Sequence, residues 1–182
     1  MNEKKFKLIV AIFLNISTTP LYCIDQINRN QNSYIQAASS LNQLPNLVTG
    51  SYILIDASAA DPIKNFETAP NNTGVICKNA GTYLICSGTQ IGVTAEGVGG
   101  YLDSWYELNN QPVPYSNSRQ YVNQNSKIAL ATNVFIMKLK ENDFFGAKFI
   151  ASGPNIGLIC IKNLPNGEPD ILSFGLTLLK ID

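Results

Sequence analysis

Histidine is absent from the 182 residues. That excludes a Ser-His-Asp triad, a Cys-His pair and any His-ligated metal site. Charge is scarce too: charged residues are 14% of the chain, against roughly 25% in an average soluble domain. The 13 Lys+Arg balance the 13 Asp+Glu, so the electrostatic footprint of a nucleic-acid binder is missing. There is no C-x-x-C spacing for zinc, no G-x-S-x-G nucleophile elbow and no G-X-Y collagen repeat. These absences argue against an enzyme before any motif is read.

What is present is a core. Hydrophobic residues make up 45% of the chain, enough to pack one domain with a short appendage. Asn fills much of the polar gap, and its side chain suits turns and strand ends.

The first residues have the layout of a secretory signal. Lys4, Lys5 and Lys7 precede Leu8–Ile16, LIVAIFLNI, and a polar stretch with Pro20 follows. Nine residues cannot span a bilayer, which takes about 20. A signal peptide over 1–23 is expected, with an N-terminal core strand as the alternative reading. The protein is then secreted, extracellular or displayed at a cell surface, with no membrane span after signal removal. Pro20 and Tyr22 do not fit a lipobox before Cys23, so lipidation is set aside. Cys77, Cys86 and Cys160 remain, as one disulfide plus a free thiol or as three buried thiols.

Residues 24–49 read as a neck or linker. Tyr34, Ala37, Ala38, Leu41 and Leu44 fall at helical spacing, which predicts a short helix from Ser33 to Leu44, ended by Pro45. A plain linker is the other reading.

From about residue 50 the pattern changes to short strands separated by turn clusters, the mark of a sandwich or barrel. Expected strands are 51–56, 63–66, 74–78, 82–93, 100–108, 118–122, 127–139, 144–152, 157–162 and 171–181. Two are apolar on both faces. In 127–139 one face is Ala129, Ala131, Phe135, Met137 and Leu139; the other is Ile128, Leu130, Val134 and Ile136. In 171–181 one face is Leu172, Phe174, Leu176 and Leu178, and the other includes Ile171, Leu179 and Ile181. A half-exposed antiparallel strand should alternate apolar with polar. The second faces therefore need a cover, supplied by another subunit or by the chain's own loops.

GVICKNAGTYLICSG, from Gly74 to Gly88, resembles the opening of the globular head in the C1q/tumour-necrosis-factor jelly-roll superfamily. The matching positions are Val75 or Ile76, Cys77, Ala80, Gly81, Tyr83 and Ile85. Gly81 would permit a tight turn and Tyr83 would anchor the next strand. MKLKENDFFGAKF, from Met137 to Phe149, is similar to the family's strand-turn-strand block, with Asn142 where Gly is usual. SFGLTLLKI, from Ser173 to Ile181, is similar to its closing strand. WYELNNQPVPYSNSR, from Trp105 to Arg119, is similar to bacterial and phage versions. The resemblance covers about 50–182 and implies a ten-strand antiparallel jelly roll packed as a homotrimer. On that reading Tyr83, Trp105, Phe135, Phe149, Phe174, Leu176 and Leu178 are core or trimer-interface candidates. Trp105 is the ambiguous one: core, interface or surface platform.

No catalytic residue is expected. Asp103 and Glu107 share a strand face but lie about 13 Å apart by strand rise. That is wider than a glycosidase pair. Glu141 and Asp143 fall in an expected turn, where acidic residues are solvated. Gly97–Gly100 reads as a flexible loop, not a phosphate cradle. Asp61, Asp103, Glu107, Asp143, Glu168 and Asp170 could donate to calcium, which some members of the resembled family hold. No D-x-D-x-D-G loop is present, so no metal site is placed and no cofactor is expected. Asn71-Asn72-Thr73, a glycosylation acceptor in a suitable host, predicts an exposed loop.

The functional expectation is a homotrimeric binding or adhesion head. It would meet an extracellular protein or glycan through Gly97–Gly100, Gln111–Ser118 and Gly153–Asn155. The alternatives are a structural subunit of a surface layer, spore coat or fibre-like assembly and, further off, a sandwich-fold carbohydrate-active enzyme.

Overall fold

A computed structural model describes residues 33–56, 63–96, 98–123 and 128–182. The expected signal at 1–23 lies outside them, as do Asp61 and Gly97. Among the described residues the chain forms thirteen strands. They are β1 (Tyr34–Ser39), β2 (Ser51–Tyr52), β3 (Ile63–Lys64), β4 (Phe66–Thr68), β5 (Val75–Cys77), β6 (Gly81–Val93) and β7 (Gly100–Leu108). They continue with β8 (Gln111–Pro112), β9 (Ser118–Val122), β10 (Ile128–Leu139), β11 (Phe144–Ala151), β12 (Ile156–Leu158) and β13 (Phe174–Lys180).

They build two antiparallel sheets. One runs β10-β6-β13-β1-β3, with β12 also on β6; the other runs β4-β5-β11-β7-β8, with β2 on β11 and β9 on β7. The chain passes repeatedly from one sheet to the other, an arrangement compatible with a jelly roll. Thirteen strands replace the expected ten because several are only two or three residues long. The expected strand at 63–66 is broken at Asn65, whose φ of 60° turns the chain from β3 in one sheet to β4 in the other.

The predicted helix from Ser33 to Leu44 does not form. Tyr34–Ser39 is instead β1, paired with β13 from Tyr34↔Leu179 to Ser39↔Phe174. So short a helix would be unstable alone. As a strand, the same segment buries Ile35, Ala37 and Ser39 in the sandwich and gains a full ladder. The sheets therefore take in residues ahead of position 50, where the jelly roll was expected to open.

Alternation fills the interior. β13 sends Phe174, Leu176 and Leu178 inward, and β7 sends Leu102 and Tyr106 from the opposite sheet. Tyr106 packs edge-on to Phe135 at 6.2 Å and against Phe145 at 5.1 Å. The abundant Asn residues sit where the backbone turns left-handed. Of eight non-glycine residues with positive φ, seven are Asn, among them Asn109, Asn110 and Asn142. Asn109-Asn110 form the two-residue connection between β7 and β8. Gly81 is not among the left-handed glycines. Its missing side chain leaves room for Lys180, which a Cβ there would strike.

If β1 is part of the sandwich, truncating its buried face is costly. Ile35→Ala should lower stability by about 2–5 kcal/mol in urea unfolding. A change near zero would return the segment to a solvated neck.

Candidate functional site

The candidates read from the sequence separate into two groups. Tyr83, Phe149, Phe174, Leu176 and Leu178 are buried between the sheets, and Phe135 packs partly buried against the same core. Trp105 lies apart from them, half-buried on the outward face of the seven-stranded sheet.

That face is organised by two carboxylates on β7. The carboxylate of Glu107 is buried and accepts hydrogen bonds from Tyr52 Oη at 3.0 Å and Trp105 Nε1 at 3.0 Å. Lys148 Nζ stands 3.5 Å from it and 4.8 Å from the Tyr52 ring centroid. β2 is thus fastened to β7 and β11 by side chains as well as by its short ladder. Burial, with the bond to Glu107 and its charge, pushes the Tyr52 phenol up to about 12. At the other end of the strand, Asp103 takes a bidentate pair from Arg119 at 2.7 Å. The guanidinium lies 3.8 Å from the Tyr101 ring centroid, and Tyr101 meets Tyr121 edge-on at 5.8 Å. The two carboxylates share a face, as the alternation requires, and each closes its own network.

Asp143 departs from the expected solvated turn. It is buried, accepting from Asn109 Nδ2 at 2.8 Å and from the Lys140 amide at 2.7 Å. It fastens the β10–β11 turn to the β7–β8 turn. Among the described residues no three Cys, Asp or Glu side chains come together as a metal site. The three thiols are free. Cys77 contacts the Asn79 carbonyl and the Tyr83 hydroxyl, and burial pushes the Tyr83 phenol up. Burial likewise pushes the Cys86 and Cys160 thiols up, which leaves little thiolate at neutral pH.

The six-stranded sheet shows a different outward face. β10 is its edge strand, and Phe135, Met137 and Leu139 face the core. Ile128, Leu130, Val134 and Ile136 point the other way, with exposures of 40%, 61%, 40% and 58%. Thr132 and Lys138 complete this face, so no charge interrupts it between Ile128 and Ile136. Across the ladder it meets Cys86, opposite Val134, and Leu84, opposite Ile136. Among the described residues, the second face of β10 is exposed. On β13 the outward Leu179 is buried.

Sequence reasoning missed Tyr52 and Lys148, the partners of Glu107 that lie far away in the chain, and the left-handed geometry of Tyr115. This residue is wholly exposed with φ 61°. The signal was Pro114, which favours the first central position of a turn and so puts Tyr115 in the second.

Among the described residues the chain is an all-β sandwich of two antiparallel sheets, with an exposed aliphatic stripe on the outward side of β10. No known family model matches it, and no curated protein matches it either.

Glu107→Ala removes the acceptor shared by three donors and should cost about 1–3 kcal/mol in denaturant unfolding. The phenols set the alkaline limit. Tyr52 and Tyr106 are both raised from 10.0 to about 12, Tyr106 chiefly by burial. Their contribution is fully present below pH 10 and is lost as pH rises through about 12, because the unfolded phenols ionise first. Ultraviolet titration of the folded protein should show Tyr52, Tyr83 and Tyr106 ionising late, with Tyr52 ionising earlier in Glu107→Ala than in the wild type. Simultaneous ionisation of all exposed and buried tyrosines near pH 10 would contradict this.

Proposed function

We propose that the protein is a secreted or surface-displayed, self-associating binding or adhesion module of the C1q/tumour-necrosis-factor-like kind, assembled as a homotrimer. One observation carries the reading: the aliphatic stripe Ile128, Leu130, Val134 and Ile136 on the edge strand β10. Contiguous exposed apolar surface of this kind marks interaction sites. The same chain presents the same stripe in every copy, so a further copy is the simplest cover. Loops then meet the ligand, an extracellular protein or glycan, while the sandwich holds them in place. Gln111–Ser118 and Gly153–Asn155 are the loops proposed for this among the described residues. The enzyme reading has no support in the carboxylates, since Asp103, Glu107 and Asp143 are occupied in fastening strands and turns.

Light scattering coupled to size exclusion tests this on residues 24–182. The expected mass is three times that of the chain, falling to one in Leu130→Glu with the thermal midpoint retained. A wild-type monomer would overturn self-association. A trimer untouched by Leu130→Glu would move the interface off β10.

A further inference from the structure

The loop between β1 and β2 stands at the end of the sandwich away from Ser33 and Asp182. β1 starts near those two residues, with Tyr34 opposite Leu179, and reaches the other end at Ser39. Gln43 fastens the loop that follows. Its backbone exchanges hydrogen bonds with Leu158 of β12 at 2.9 and 2.8 Å. Its side chain accepts from the Leu54 amide at 2.8 Å and donates to the Leu54 carbonyl at 3.1 Å. Asn46 then builds a tight turn. Its side-chain oxygen accepts from the amides of Val48 at 2.9 Å and Thr49 at 3.1 Å. Its carbonyl accepts from the Gly50 amide at 3.0 Å, and its own amide donates to Ser51 Oγ at 2.9 Å. Asn is suited to this, because its side chain bonds the backbone two residues on.

What the turn presents is aliphatic. Val48 is 87% exposed and Leu47 42%, and Leu44 on the same loop is 52% exposed. Single exposed aliphatic residues are ordinary; three in five residues, on a loop fixed this way, mark an interaction site. No charged residue occurs from Ser33 to Ile55. Behind the tip lies Trp105, whose ring a Cβ on Gly50 would approach to 3.1 Å. Trp105 Nε1 and Tyr52 Oη both donate to Glu107. Aromatic side chains with an apolar body and a bonded polar end suit the boundary between water and lipid.

We propose that the Leu44–Val48 loop dips into the boundary between headgroups and acyl chains of a lipid surface. Three observations select this partner. The tip is convex, so it offers area that fluid acyl chains take up without a complementary cavity. The amides of Val48, Thr49 and Gly50 are paired inside the turn, as backbone leaving water requires. The loop is uncharged, so the contact does not depend on anionic lipid. It is a contact at the surface, made by one chain, and it holds whether or not copies associate. Where they do, several tips engage one surface and the binding gains avidity.

Trp105 is the chain's single tryptophan and reports on the tip without a label. The full chain is mixed with phosphatidylcholine vesicles whose acyl chains are brominated near the headgroup. Trp105 emission should fall relative to plain phosphatidylcholine vesicles, and equally at physiological salt and at about 1 M. Val48→Asp and Leu47→Asp should each abolish the quenching and keep the thermal midpoint, since both side chains stand in water. Equal emission with brominated and plain vesicles, or quenching that survives both substitutions, would overturn the lipid contact. Quenching confined to vesicles with anionic lipid and lost at high salt would also overturn it, by assigning the contact to charged side chains. Self-association is read by mass, so either proposal can fail without the other.

Discussion

The pairing of β10 with β6 is the constraint on which the rest of this structure depends. The ladder runs from Ile128↔Gly92 to Leu139↔Gly81, the longest among the described residues. Its inward face brings Ile85, Ile91 and Tyr83 against Phe135, Met137 and Leu139, and so supplies much of the core. A strand has period two, so a shift of one residue would exchange the two faces. Because both faces of β10 are apolar, hydrophobicity alone discriminates weakly between those registers. The turn after β10 fixes where the strand ends. Asn142 takes the left-handed position after β10, and Asp143 closes the turn on the Lys140 amide and binds it to Asn109.

The two outward faces of the sandwich solve exposure differently. On the seven-stranded sheet, aromatic rings alternate with charges that are paired: Glu107 with Lys148, Asp103 with Arg119. On the six-stranded sheet, β10 presents an aliphatic stripe interrupted by Thr132 and followed by Lys138. The low charge content of the chain and the exposed aliphatic stripe on β10 agree with each other.

Much of the fold was legible because alternation and turn residues agree locally. β7 and β9 begin and end where Gly, Asn and Ser punctuate the sequence, and the two faces of β10 separate as the period demands. β1 was misread because Tyr34, Ala37, Ala38 and Leu41 fit a helical period by spacing. Docking on β13, more than a hundred residues later, overrides that local preference. β8 escaped because its two residues are a consequence of the Asn109-Asn110 turn and carry no pattern of their own. Among the site residues, Tyr83, Phe149 and the β13 leucines, core or trimer-interface candidates on the resemblance, are buried between the sheets. The staple at Glu107 was not legible, since Tyr52 and Lys148 reach it only through the sheet. Left-handed geometry at Tyr115 runs against residue preference, so the sequence alone points to Asn or Gly there.

Cys86 reports directly on whether the outward face of β6 and β10 is covered. It sits opposite Val134 on that face, while Cys77 and Cys160 are buried elsewhere. The measurement is the rate of Cys86 alkylation in the native protein as protein concentration is raised, read by peptide mass spectrometry. A subunit-covered face requires the rate to fall steeply with concentration and to stay high in Leu130→Glu. A rate independent of concentration and equal in the two proteins would contradict the account.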